Sequence, residues 1–244
     1  MGNKNIVAID TGSFATIPAH ARYYAIPYEQ TRQGIQKAVQ HADAHQWAVR
    51  KSFDIDYRCR RRMITVMLGD RTNLVAFDQG VAQASSDGFS ESDGIVSSTG
   101  AGAIDTAIVF QLFAARKSCA YVHNLLSKES GFLALAGKPN TLADIVVRTD
   151  EKAVFAKEVY SYQVLKSIGS LVSILGGLDA VVFIGEPFWG IKNLALDLVC
   201  QMKFLGLNNR SFVIGDEVGI LTHEDSRVSA YYFEHVPSRK NTAG

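Results

Sequence analysis

Apolar residues fall into distinct rhythms along this chain, and each rhythm predicts a different element. Residues 5–9, NIVAI, make a short apolar run that stops at Asp10-Thr11-Gly12-Ser13, a strand ending in a polar turn. MITVMLGD (63–70) and NLVAFDQG (73–80) read as two strands joined by a short turn, a hairpin. From Glu151 to Leu175, apolar residues recur at Phe155, Val159, Tyr162, Leu165, Ile168, Val172 and Leu175, in the steps of three or four that make one face of a long helix. Gly176-Gly177 then stops it. LDAVVFIG (178–185) is a continuous apolar run bounded by glycines, the pattern of a strand buried on both faces. Further helices are expected from about Glu29 to Arg50, from Ile104, and from about Lys192 to Phe204, with short strands near 212–214 and 227–233.

The intervening stretches are of two kinds. ASSDGFSESDGIVSSTGAGA (84–103) is a loop of small residues, the sort that either faces a ligand or is merely mobile. The tail SRKNTAG (238–244) is polar and expected to be disordered, and nothing between splits the chain, so residues 1–237 are expected to form one domain or lobe. Strands alternating with helices point to an α/β fold.

Charge narrows the partners only by exclusion. Lys+Arg 25 against Asp+Glu 24 leaves a net charge of +1, so no global field draws the 244-residue chain toward nucleic acid or an anionic membrane. With neither a signal-peptide core nor an apolar stretch of transmembrane length, the expectation is a cytoplasmic protein. Cys59, Cys119 and Cys200 are widely spaced, form no CxxC pair and are expected to be buried thiols.

Four motifs are candidates for chemistry, and each has an ordinary structural reading beside it. The turn after Ile9 could hold a phosphate through closely approaching backbone N–H groups, or simply end a strand. In His41-Ala42-Asp43-Ala44-His45, helical geometry would put two imidazoles on one face, where they could meet one metal ion or phosphate; otherwise they are a solvated face. A metal would need a third ligand, for which Asp10 or Asp70 stand at predicted strand ends. Arg58-Cys59-Arg60-Arg61-Arg62 lacks interleaved aromatics and reads as a solvated loop. SSTGAGAID (97–105) has the form of a glycine-rich phosphate cradle entering a helix, yet carries no Lys or Arg.

The order of these pieces resembles the second lobe of acetate and propionate kinases, members of the actin, hexokinase and heat-shock-chaperone ATPase superfamily. IDTGSFATIPAHARYYAIPYE (9–29), HNLLSKESGFLALAG (123–137), VYSYQVLKSIGSLVSILGGLDAVVF (159–183) and CQMKFLGL (200–207) carry the likeness. It implies a ribonuclease-H-like, actin-like mixed sheet flanked by helices, as a single lobe. It implies too that Asp10 corresponds to the family's catalytic, magnesium-associated aspartate. His41 and His45 correspond to two histidines that bind and stabilise the transferring phosphoryl group.

Elsewhere the sequence departs from the family. Where the family's strand ends in His-Leu-Gly-Asn-Gly around the phosphates, this chain has Met67-Leu68-Gly69-Asp70-Arg71, and a carboxylate there would repel phosphate. Gly100, in a loop that also holds Gly102, stands where the family has the arginine that neutralises developing charge, a loss costing about 10³-fold or more in rate. Glu91 replaces a substrate-pocket proline and Gln40 the phenylalanine beside the first histidine. At the nucleotide, Thr141-Leu142-Ala143-Asp144 replaces the ribose-side motif, and Glu186-Pro187-Phe188-Trp189-Gly190 replaces a glycine loop, so that Phe188 and Trp189 fill space kept open for adenosine.

The resulting expectation is a degenerate lobe without ordinary acetate kinase activity, binding no cofactor and kept as a homodimeric binding or regulatory module. Its vestigial catalytic candidates are Asp10, His41 and His45, and its weak cofactor-binding candidates are Gly69, Asp70, Gly100 and Gly102. The resemblance implies a subunit contact in this lobe, expected through the helix Glu151 to Leu175 and its neighbours. Two alternatives stand beside it: half of a split kinase, using ATP and magnesium with a partner supplying the first lobe, or a metal or phospho-ligand site at Asp10, His41 and His45.

Overall fold

The computed structural model describes residues 16–55, 60–90, 92–186, 188–206, 212–215 and 229–234. The predicted opening strand with Asp10, the residues Arg58, Cys59, Glu91 and Pro187, and the tail 238–244 lie outside these. The described chain opens with helices α1 (Ala19–Arg22), α2 (Tyr28–Arg32) and α3 (Ala42–Ile55). The single helix expected over 29–50 is thus two, because Gly34 at φ +90° and His41 at φ +52° turn the backbone out of the helical region between them.

The expected hairpin forms from β1 (Arg62–Leu68) and β2 (Asn73–Asp78), and β3 (Val81–Ser85) extends it into what had read as loop. Helices α4 (Thr106–Ala114), α5 (Cys119–Lys128), α6 (Gly131–Ala136) and α7 (Leu142–Val147) follow, then α8 (Glu151–Leu175), β4 (Ala180–Gly185), α9 (Trp189–Gln201), β5 (Phe212–Gly215) and β6 (Ser229–Glu234). The strands make one mixed sheet in the order β3-β2-β1-β4-β6-β5. β1–β2 and β2–β3 are antiparallel; β1–β4, β4–β6 and β5–β6 are parallel.

Period-two alternation makes two cores. Ile64, Val66 and Leu68 of β1, Leu74 and Ala76 of β2, and Val181 and Phe183 of β4 face α6 to α9. Met63, Val75, Phe77, Ala180, Val182 and Ile184 face α3. All six residues of β4 are buried, as its unbroken apolar run requires.

Helix α8 has the predicted ends, with the Asp150 side chain capping its start and Gly176 in the left-handed conformation after its last residue. Its buried face differs from the predicted stripe: Ala153, Ala156, Tyr160, Val164, Ile168 and Leu171 meet the sheet side, and only Ile168 is shared with the prediction. Phe155 and Tyr162 are 54% and 69% exposed. The two alanines let α8 approach closely, whereas the bulky rings of the rival stripe turn outward.

Two other expectations are corrected. Cys119 is an exposed thiol and Cys200 only half-buried. The end of the basic run is not solvated loop: Arg62 begins β1 and its guanidinium donates to both carboxylate oxygens of Asp179, at 2.8 and 3.1 Å. No helix among the described residues is long and apolar enough to cross a membrane.

Candidate functional site

The two histidines lie four positions apart, at the start of one helix. His41, exposed and in the left-handed region, precedes α3, and its carbonyl accepts the N–H groups of Ala44 and His45. His45 enters the helix and is fully buried against the α3-facing side of the sheet. His41 thus stands just before the helix and His45 within its first turns.

What surrounds His45 follows from strand register. Thr65 of β1 and Asn73 of β2 share the parity of Met63 and Phe77, so both side chains face α3. Asn73 Nδ2 donates to the Gln40 carbonyl and to Asp87 Oδ2, each at 2.8 Å. Its Oδ1 is left to accept from His45 Nε2–H at 3.1 Å, which assigns the tautomer. His45 Nδ1 then accepts the Thr65 hydroxyl proton at 2.6 Å. Both ring nitrogens are thus committed inside the protein.

Electrostatics agree with a neutral ring. Burial pushes the His45 pKa down to about 4, with the Asn73 bond pulling it back and the charge of His41 adding to the depression. At the other end of the chain of bonds, burial pushes the Asp87 carboxyl up to about 6, against the bonds it accepts from Gln40 N–H, Asn73 and Ser85. Thr65, Asn73 and Asp87 were not singled out from sequence. The available signal was a polar residue at positions 65 and 73 of an otherwise apolar hairpin.

Among the weaker candidates, Gly69 and Asp70 form the turn between β1 and β2. The Asp70 carboxylate accepts the backbone N–H of Leu142 at 2.9 Å, so it faces the start of α7. There Thr141 and Asp144 bond each other reciprocally as a capping box, which occupies the polar groups of the segment the resemblance puts near a ribose.

The loop 97–102 docks on α6. The carbonyls of Thr99, Ser97 and Ser98 accept the N–H groups of Ser130, Phe132 and Leu133 at 3.0, 2.9 and 3.0 Å, taking the donors that an anion at this helix start would use. Gly100 donates to Ser97 Oγ at 2.8 Å, and a Cβ on it would lie 2.7 Å from that oxygen. Gly102, at φ +72°, leaves no room for a Cβ beside Val96 N and Gly94 O. The helix entered at Thr106 has its first turn capped by Asp105, which accepts from Ala107 N–H at 2.8 Å.

Gln40, Arg71, Thr72, Asn73, Asp87, Asp93, Ile95 and Ser97 enclose a polar recess of about 10 Å³, room for roughly one water molecule. Phe188 packs half-buried on the core and fills the space above Gly190, where a Cβ would meet its ring at 2.8 Å. Trp189 turns outward, 62% exposed, its ring centroid 5.7 Å from that of Phe188. Among the described residues, no group of three or more His, Cys, Asp or Glu is placed to hold a metal ion.

Comparison with known proteins gives the family and the fold. The family model "Acetokinase family" matches residues 1–236. An acetate kinase of Thermosynechococcus vestitus is 32% identical over 210 residues, covering 83% of this chain and 50% of its own length. One from Clostridium beijerinckii is 31% identical over 239 residues, covering 91% and 59%. Among solved structures, acetate kinase from Entamoeba histolytica superposes with a TM-score of 0.79 at 25% identity, covering 92% of this chain and 61% of its own. A propionate kinase from Francisella tularensis gives 0.79 at 25%, covering 93% and 60%. The chain thus spans about half to three-fifths of the proteins it matches. With its mixed sheet between helices in the actin-like ATPase manner and a match running through almost all of its residues, this chain belongs to the acetokinase family.

Proposed function

We propose that this chain is a degenerate acetate-kinase-like lobe that does not carry out ordinary ATP:carboxylate phosphoryl transfer and serves as a dimeric binding or regulatory module. The observation that carries this reading is the state of His45: buried, uncharged, with both ring nitrogens held by Thr65 and Asn73. A histidine so committed has no donor to offer a phosphoryl oxygen. Gly100 where the resemblance puts an arginine, the Asp70 carboxylate in the strand-end turn, and Phe188 over Gly190 all support it. Calorimetric titration of ATP with magnesium tests it: no heat of binding at micromolar nucleotide is expected, and micromolar affinity overturns it.

The dimer has its own support in α4. Its sequence, TAIVFQLFA, is almost wholly apolar, yet no residue of this helix is buried and Phe110 is 69% exposed. Such a face is an expected contact surface. Light scattering would give a dimer mass, and Phe110→Glu would give a monomer; a monomeric wild type at high micromolar concentration removes this part of the reading.

A second reading is half of a split kinase completed in trans with ATP and magnesium, resting on membership of the acetokinase family. Kinase activity appearing when a separately expressed first lobe is added would establish it. The metal or phospho-ligand alternative at Asp10, His41 and His45 has less behind it, because His45 would have to give up a buried bond to ligate anything.

A further inference from the structure

The stripe of α8 that turns away from the sheet carries a pattern of its own. Phe155, Tyr162 and Gly169 recur every seven residues and so lie on one side of the helix, with Glu158 and Lys166 one turn before and after Tyr162. All five are exposed, Tyr162 by 69%. Glu158 and Tyr162 form a ridge between two hollows. One, of about 630 Å³, runs toward Gly94, Ile95 and Ala103; the other, of about 470 Å³, runs toward Leu194 and Cys200. A ridge flanked by grooves is the relief against which a second helix packs.

Three features of this stripe have no explanation within one chain. Gly169 weakens the interior of α8, yet it has no positive φ and only open space where a Cβ would be, so neither conformation nor packing in the monomer calls for glycine. Two large rings, Phe155 and Tyr162, face outward close together. Glu158 and Lys166 have no ion-pair partner among the described residues. A second α8 running antiparallel, with a two-fold axis beside Tyr162, answers all three. Residues equally far before and after Tyr162 then face each other: Glu158 meets Lys166, the half-buried Val159 meets Leu165, and the Phe155 ring meets the notch at Gly169. A parallel pair would instead set Glu158 against Glu158 and Lys166 against Lys166.

We propose that the outward stripe of α8 docks a second copy of this chain, the two helices antiparallel about a two-fold axis at Tyr162. The proposal rests on the dimeric reading above and gives that dimer its register. The apolar face of α4 belongs to the same surface. The larger hollow beside Tyr162 reaches Ala103, whose N–H bonds the Gly94 carbonyl at 2.8 Å, and α4 begins just beyond it at Thr106. Charge complementarity fixes the direction of the pair, and the glycine notch opposite Phe155 fixes where along the helix the axis falls.

Sedimentation equilibrium on the full chain with charge variants tests this. Glu158→Lys and Lys166→Glu each put like charges face to face and are expected to weaken dimerisation by at least about tenfold. The double variant Glu158→Lys with Lys166→Glu restores opposite charges across the axis and is expected to return to within about threefold of the wild type. Gly169→Leu closes the notch and is expected to weaken the dimer by about tenfold or more. A wild-type dimer that Phe110→Glu dissociates but Glu158→Lys leaves intact overturns this register while the dimeric reading stands. A double variant that associates no better than the single ones overturns it too. A monomeric wild type removes the dimeric reading and this register together.

Discussion

The hydroxyl of Tyr160, in the middle of α8, lies 2.5 Å from Oγ1 of Thr72, in the turn between β1 and β2. Thr72 Oγ1 donates to the Gly69 carbonyl at 3.1 Å and accepts from Gly69 N–H, so its single proton is spent and the tyrosine must be the donor. Tyr160 is fully buried and its ring lies 5.7 Å from that of Phe132 on α6. The long helix therefore holds the turn that carries Gly69 and Asp70.

Tyr160→Phe keeps the ring packing and removes one donor. It is expected to lower unfolding stability by about 1 kcal/mol, read from urea denaturation, since Thr72 keeps both Gly69 bonds. Tyr160→Ala also opens a cavity and should cost about 3–5 kcal/mol. Equal costs for the two would show that the hydroxyl, not the ring, dominates.

The buried pair His45 and Asp87 makes opposing contributions to pH dependence. His45 is depressed from 6.5 to about 4, so its share of stability is complete above pH 6.5 and is lost as pH falls toward 4. Asp87 is raised from 3.8 to about 6, so its penalty is complete above pH 6 and fades as pH falls toward 3.8. Between about pH 4 and 6 the two slopes cancel in the native protein. In Asp87→Asn the histidine slope is unmasked and stability should rise steeply from pH 4 to 6.5; in His45→Gln it should fall from pH 4 to 6. Chemical denaturation at several pH values distinguishes these, and parallel curves for all three proteins would contradict the assignment.

Gly131 has φ +65°, and a Cβ on it would run into the Ser97 carbonyl. Gly131→Ala is expected to cost more than about 2 kcal/mol, from backbone strain together with the displaced loop. At Gly100, with no positive φ and only the rotatable Ser97 hydroxyl in the way, Gly100→Arg should cost about 1 kcal/mol and yield no acetate kinase activity. Kinase turnover in that variant would mean the arginine was the one missing part.

Arg62 joins three elements, bonding Asp179 at the start of β4 and the Gly176 carbonyl, at 2.8 Å, after the end of α8. The same contact holds the Asp179 carboxyl below the usual carboxylate range. Arg62→Met is expected to lower the melting temperature by a few degrees, because the guanidinium side chain is about a third exposed and part of the pair is screened. High salt should reduce the difference between the two proteins.

Much of this molecule is written locally. The hairpin, the ends of α8, the run of β4 and the position of α9 follow from short-range rules: an alternating or continuous apolar pattern, and glycine where the chain leaves a helix. The succession of these pieces also carries the likeness to acetate kinases. Which stripe of α8 is buried was decided by the sheet beneath it, because two apolar stripes compete and only the one with Ala153 and Ala156 permits close approach. That His41 stands just outside the helix, in the left-handed region, is not announced by the spacing of two histidines. The closing of His45 by Thr65, Asn73 and Asp87 joins residues 20 to 42 positions away from it. Only strand pairing, which sets the parity of residues 65 and 73, places those side chains around one imidazole.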